Sequence, residues 1–317
     1  MSGTGTMTEA TTDRGPQPEA SFNHFPTRIR QLTVLRRSHV TPRMVRVTLG
    51  GDELAGFESH LPDEHCKLVF PDPGSDVVRH PWQEEGEDHL EWPEPFPPTR
   101  EYSVRRYDPV AREVDLDFVV HPGGLAADWA QGAEPGDRLW VAGPRPGIVV
   151  GPEFGLLVLL ADETGLPALA RWLEELPSDA RGVAAIEIHD DAERQDLRVP
   201  DGFTVTWLSR DGAEPGTTTL LGDFAERIDL PDDVWTYVWA FAEAGCVKPV
   251  RRWARAHGIG RKQSDIGGYW KRGRTNSYQA VVADREHAEE MRDRVVVPIS
   301  DHDHGDHDHH DHDHHED

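Results

Sequence analysis

Residues 155–176 read GLLVLLADETGLPALARWLEEL. An uninterrupted apolar run to Ala161 passes through the turn Asp162-Glu163-Thr164-Gly165 into apolar residues at helical spacing. A strand that is apolar at successive positions must be covered on both faces, which is the condition of a parallel sheet flanked by helices. Downstream, GVAAIEIHD (182–190), FTVTWLSR (203–210), TLLGDFAERI (219–228) and TYVWAFAEAG (236–245) repeat the alternation of strand and helix. Upstream the period is different. IRQLTVLRRSHV (29–40), MVRVTLGG (44–51) and HCKLVFPDPG (65–74) are short alternating runs broken by Gly and Pro, as in antiparallel strands of a small barrel. The expected fold class is therefore β + α/β, an N-terminal antiparallel β-barrel domain followed by a parallel-sheet α/β domain.

At 317 residues the chain can hold two separate cores. The expected division is a disordered leader over 1–26, a barrel over 27–150, an α/β part over 151–297 and a disordered tail over 298–317. The change of period falls near Gly147–Pro152. Residues 79–98, RHPWQEEGEDHLEWPEPFPP, are too polar for a core and read as a surface excursion. No basic start with an apolar core marks a secretory signal, and no run of about 18 apolar residues could cross a membrane. A cytoplasmic location is expected. Cys66 and Cys246, far apart in sequence, read as reduced packing residues. A formal charge of -25 makes nucleic acid an unfavourable partner.

Two segments carry candidate chemistry. In PTREYSVRRYD (98–108), strand alternation puts Arg100 and Tyr102 on one face and opens Ser103 to the other. A guanidinium can neutralise a diphosphate, an aromatic ring can lie on a flat ring system, and a hydroxyl can meet that system's polar edge. That set suits a flavin dinucleotide, although an ordinary edge strand would also carry such residues. In DFVVHPGGLAADWA (117–130), a strand runs through His121 and a Gly123-Gly124 turn into a helix starting at Leu125, Ala126 and Ala127. Free amides at a helix start, approached through glycine, form a phosphate-binding device. A capped helix with no ligand has the same local pattern.

The ordered series PTREYSVRRYD, DFVVHPGGLAADWA, PGDRLWVAGPR (135–145), LLADETGLPALARWLEEL (159–176), AFAEAG (240–245) and GYWKRG (268–273) resembles the siderophore-interacting proteins over roughly residues 28–278. These are flavin-dependent ferric-siderophore reductases related to ferredoxin reductases. The resemblance implies that Arg100, Tyr102 and Ser103 hold FAD, that His121, Gly124, Leu125 and Ala126 lie near its diphosphate, and that Asp117, Val119 and Trp129 complete the cofactor set. It departs from the family at Ala126 and Ala127, where a small hydroxyl residue is common, and at Ala242, where Gly is usual.

The turn after Ala161 lies where ligands of open α/β sheets bind, beyond the carboxyl ends of strands. Thr164 could cap the next helix, with Pro167 in its first turn. The resemblance assigns Asp162, Glu163, Thr164 and Pro167 to the nicotinamide end of NADPH or NADH. No GxGxxG stands here. Glu243, at the end of an apolar strand, is either a buried carboxylate of that site or a helix cap. For the acceptor, Lys67, Arg251 and Arg252 supply positive charge that would attract an anionic ferric siderophore. Tyr269 and Trp270 would either pack on the nucleotide part or shield the flavin, and packing is the favoured reading.

The tail SDHDHGDHDHHDHDHHED (300–317) carries His302, His304, His307, His309, His310, His312, His314 and His315 among seven Asp and one Glu. Imidazole and carboxylate at this density would bind divalent metal ions weakly and in many geometries. The expected function is a ferric-siderophore reductase passing electrons from NAD(P)H through FAD to ferric iron. The alternatives are a flavin reductase serving a ferredoxin or oxygenase partner, and a metal buffer acting through the tail.

Overall fold

Two large sheets of opposite character, with a two-stranded pair beside them, hold the strands of the computed structural model, which describes residues 14–22, 26–85 and 89–274. After the short β1 (Ser21–Phe22), the chain forms β2 (Arg28–Thr41), β3 (Met44–Gly50), β4 (His65–Val69), β5 (Thr99–Ser103), β6 (Arg106–Asp108), β7 (Glu113–Val119), α1 (Leu125–Gly132), β8 (Arg138–Arg145) and β9 (Ile148–Val149). Seven of these strands make an antiparallel sheet in the order β5-β4-β8-β2-β3-β7-β6. Alternate residues, among them Leu32, Val34, Val47, Leu49, Leu68, Leu116, Phe118 and Val141, line its inner face. Ala126 and Ala130 of α1 join that core.

The sheet is rolled. The Val104 N–H donates to the Glu64 carbonyl beside β4, and the Arg105 N–H donates to the Asp115 carbonyl on β7. Successive residues thus reach opposite edges, and no β5–β6 ladder closes the seam among the described residues. The excursion after β4 packs over the outer face. The His80 ring stacks on Trp140 with 3.7 Å between centroids.

The second sheet collects β10 (Phe154–Asp162), β11 (Arg181–Ile188), β12 (Gly202–Ser209), β13 (Trp235–Glu243) and β14 (Ser264–Trp270), with α2 (Leu166–Glu175), α3 (Leu220–Ala225) and α4 (Val247–Ala256) between them. All its pairings are parallel, in the order β12-β11-β10-β13-β14. The apolar run of β10 divides between two cores: Leu157, Leu159 and Ala161 face α2, while Val158 and Leu160 face α3 and α4. The winding reverses between β10 and β13, so a crevice opens beyond their carboxyl ends.

Charged side chains bind the two sheets together. Arg171 of α2, only 3% exposed, donates to Ser59 Oγ at 2.8 Å and to the Val104 carbonyl at 3.2 Å. Arg105 pairs with both oxygens of Glu174, and Glu193 accepts from Thr41 Oγ1 and the Arg43 N–H. Part of the expected leader is ordered as well. The Ala20 N–H donates to the Lys262 carbonyl, Gln263 Nε2 donates to the Pro18 carbonyl, and β1 pairs with β9. Backbone pairing and burial of Phe22 hold this stretch despite its composition. Among the described residues no helix is long and apolar enough to cross a membrane.

Candidate functional site

Arg100 and Tyr102 share the inner face of β5, as the alternation requires. The Tyr102 ring lies 4.2 Å from Phe118 of β7, and Phe118 lies 5.7 Å from Trp129 of α1. Both side chains are partly buried, and the loss of water pushes the Tyr102 hydroxyl pKa up and the Arg100 guanidinium pKa down. Arg100 Nη1 donates to the Thr99 carbonyl.

The helix start beside this aromatic group fits a phosphate. Gly124 occupies the N-cap position with no side-chain cap, Gly123 takes φ 72°, and the first turn's N–H groups point out of the helix. A Cβ at Gly124 would run into the His121 ring. Tyr102 is thus linked through Phe118 to Trp129 of α1, Arg100 shares the strand face of Tyr102, and His121 lies against the Gly124 turn that opens α1. The guanidinium, the flat rings and the uncapped amides match the charge and shape of a flavin dinucleotide.

Asp117 and Val119 point to the opposite face of β7. Asp117 receives a fork from Arg46 at 2.7 and 2.8 Å and lies 4.0 Å from Arg105, while Val119 packs in the core shared with α2. The structure places neither beside Tyr102, because strand alternation separates them from Phe118. Ser103 likewise turns outward, where its hydroxyl and that of Tyr269 share a hydrogen bond. Tyr269 also packs on Phe241, with ring centroids 4.6 Å apart.

At the mouth of the parallel sheet, the carboxylates are engaged internally. Asp162 accepts from the Thr164 N–H and hydroxyl, from the Glu243 N–H and from Trp270 Nε1, and burial raises its pKa. Thr164 therefore does not cap α2; its hydroxyl is spent on Asp162, and Gly165 holds the N-cap position with Pro167 in the first turn. Glu163 accepts from the His189 N–H at 2.6 Å and from buried Arg210 at 2.8 Å. Glu243 accepts from the Gly245, Cys246 and Arg272 N–H groups, so it caps the approach to α4. What these residues leave open is backbone: the first turn of α2 at the switch point.

Lys67 lies on the outer face of β4. Its ammonium is 3.3 Å from Glu101 and stands 5.6 and 5.9 Å from the ring centroids of Trp92 and Phe96. Arg145 of β8 reaches the same Glu101 oxygen at 3.7 Å. Arg251 and Arg252 do not join Lys67. Arg251 donates to the Ile266 carbonyl, and α4 packs with Ile266 on the face of the parallel sheet opposite Tyr269. Sequence reasoning missed Arg145 and Glu101. Alternation on β5 puts Glu101 opposite Arg100 and Tyr102, but only the strand order brings Arg145 to it.

Among the described residues no group of three or more His, Cys, Asp or Glu could hold a metal ion. The eight tail histidines, His302 to His315, lie outside the described residues.

Comparison with known proteins matches the same two parts. The siderophore-interacting FAD-binding domain matches residues 33–147, and the siderophore-interacting protein family matches residues 155–273. The chain is 36% identical over 247 residues to an NADPH-dependent ferric-chelate reductase of Escherichia coli, covering 77% of this chain and 93% of that protein. It is 32% identical to the ferric vibriobactin reductase ViuB of Vibrio cholerae, over 77% and 90% of the two chains. A siderophore utilization protein from T. fusca superposes with TM-score 0.76 and 44% identity, over 82% of this chain and 98% of that one. The rolled antiparallel sheet followed by a five-stranded parallel sheet is the ferredoxin-reductase-like fold. With both parts matched in order across most of its length, this chain belongs to the siderophore-interacting protein family.

Proposed function

We propose that this protein is an FAD-dependent ferric-siderophore reductase that takes electrons from NADPH and releases iron from its chelate as Fe(II). The observation that carries the reading is the aromatic chain Tyr102–Phe118–Trp129, which links the strand of Arg100 to the helix whose start is uncapped, in a chain whose second sheet has an open α/β switch point. Bound FAD supplies the conversion of a two-electron donor into single-electron steps, which side chains cannot perform. Arg100 and the amides of Leu125 and Ala126 would hold its diphosphate, and Tyr102, Phe118 and Trp129 would give its ring system a flat apolar wall. The first turn of α2 would receive the nicotinamide end of the donor, in a mouth whose shape Asp162, Glu163 and Glu243 fix. Reduction weakens the chelate because hard oxygen ligands favour the ferric ion. No side chain is needed as acid, base or nucleophile.

The division into an FAD part over 27–150 and a donor part over 151–297 belongs to this proposal, as does a cytosolic site of action. Metal binding by the tail histidines is a separate element of it. Calorimetry with Ni(II) or Zn(II), on the full chain and on a chain ending at residue 299, tests that element. A second reading, with a ferredoxin as electron partner, is favoured by the exposed basic stripe of Lys248, Arg252 and Arg255 on α4. An acidic partner would lose affinity for Lys248→Glu/Arg255→Glu.

Anaerobic spectroscopy tests the main reading. A flavin spectrum should travel with the purified protein, bleach with NADPH and return when a ferric siderophore is added. A protein that FAD cannot reconstitute would overturn it.

A further inference from the structure

The outer face of β5 carries a charge arrangement that the acceptor chemistry alone does not require. Lys67 and Arg145, from neighbouring strands, converge on one oxygen of Glu101 at 3.3 and 3.7 Å. The Lys67 side chain is 8% exposed beneath Trp92 and Phe96, whereas Glu101 is 37% exposed and stands nearer to solvent. Ser103 points to the same face and joins Tyr269, whose surroundings include Asp63, Asp265 and Glu101. An acceptor reaching this face therefore meets a carboxylate set between the two cations, with aromatic rings beside it.

We infer that Glu101 is a specificity-determining residue: by offsetting one of the two positive charges of Lys67 and Arg145 it weakens the preference for strongly anionic ferric chelates over those of low net charge. The inference rests on the reductase reading and takes the face of Lys67, the cation that the sequence offers to an anionic acceptor, as the place where the chelate docks. Its physical basis is elementary. Three hydroxamates cancel the charge of a trivalent ion, whereas three catecholates leave a triple negative charge. A carboxylate held by two cations on this face repels the second and is nearly indifferent to the first. Asp63 does not compete for this role at neutral pH, because burial raises its pKa to about 8. The flanking Trp92 and Phe96 rings add contact area for ligand arms of either kind.

Gallium chelates test the inference independently of electron transfer, since Ga(III) keeps the charge and geometry of Fe(III) without being reduced. Calorimetric titrations would compare Ga(III) tris-acetohydroxamate with Ga(III) tris-catecholate on the full chain. We expect Glu101→Gln to raise the preference for the catecholate complex about tenfold, and the gain to shrink as salt is added. Glu101→Asp should keep the wild-type preference. The gain should also vanish in Glu101→Gln/Lys67→Gln, because the unmasked ammonium is its source. An unchanged preference in Glu101→Gln, or an equal rise in Glu101→Asp, would overturn the inference. Charge-dependent gallium binding in a protein that reduces no ferric chelate would instead count against the reductase reading alone.

Discussion

Asp63 is buried where the two sheets meet, and its carboxyl accepts from the Ile148 N–H at 3.0 Å. Desolvation is the main cause that lifts its pKa from 3.8 to about 8, with the negative charges of Asp265 and Glu64 adding to it. The folded protein therefore keeps a proton that the unfolded chain loses near pH 4. Between about pH 4 and pH 8 the native state binds more protons, so this group makes stability fall as pH rises. Asp63→Asn should remove that slope, and the variant should gain stability over the wild type at pH 8 but not at pH 4, as read from urea midpoints at each pH. Asp162 and Glu187 are shifted in the same direction by burial, so the wild-type slope should exceed the part that Asp63→Asn removes. Glu163 illustrates a different consequence of burial. It pairs with Arg210, whose side chain is 2% exposed and whose Nε has no hydrogen-bond partner among the described residues. Glu163→Ala leaves that buried guanidinium with Glu187 at 3.7 Å as its remaining carboxylate and should cost about 3 kcal/mol in denaturant unfolding, whereas Glu163→Gln should cost less. That pairing was not legible in the sequence. Glu163 stands next to a turn in the position of a ligand-binding residue, and only the register of β10 against β11 reveals that the His189 N–H and Arg210 claim it. Tyr102, by contrast, was legible because strand alternation alone places it with Arg100.

The start of α1 shows how an element makes a site without special side chains. Its eight residues carry no cap donor or acceptor at the N-cap position, and the approach depends on two glycines for different reasons. Gly123 needs its positive φ of 72°, and Gly124 leaves room for the His121 ring. Gly124→Val should displace that ring and crowd the first-turn amides. We expect FAD affinity to fall by more than tenfold, measured by ultrafiltration and absorbance, with a loss of global stability below about 1 kcal/mol. A loss of stability without a loss of flavin would show that the turn serves packing alone. Elements of this kind were readable from the sequence because glycine and helix periodicity are local signals. The alternation of β10 with α2 was readable for the same reason. The loop between β4 and β5 was not. Its polar composition marks a surface segment, yet Trp92, Phe96 and His80 are placed against Lys67 and Trp140, and no periodic pattern announces such contacts. The two-residue β1 and β9 also escaped, since a pairing of that length leaves no period to detect.

At the scale of the whole molecule, charged clamps and a shared apolar core together set the relation between the two sheets. Arg171 and Glu174 of α2 hold Ser59, Val104 and Arg105, while Glu193 holds Thr41 and the Arg43 N–H. Apolar side chains join them: Phe22, Met44 and Ile148, with Val40, Val119 and Val150 packed beside them, enter the core that α2 shares with the parallel sheet. None of the clamp residues is among those proposed to hold either ligand, so the clamps should control geometry between the sites more than affinity at either one. Arg171→Met/Glu193→Ala removes the two best-buried of them. Each truncation strands buried partners, and together they should lower stability by about 3–6 kcal/mol. The functional expectation is more specific. FAD should remain bound with near wild-type affinity, because Arg100, Tyr102 and the start of α1 are untouched. Reduction by NADPH should slow by at least tenfold, because small displacements of reacting groups are costly. Stopped-flow absorbance at saturating NADPH separates the two effects. Slower reduction with flavin retained would support a clamp that fixes the donor site against the flavin site. Loss of flavin from the double variant would show instead that the interface supports the FAD part itself.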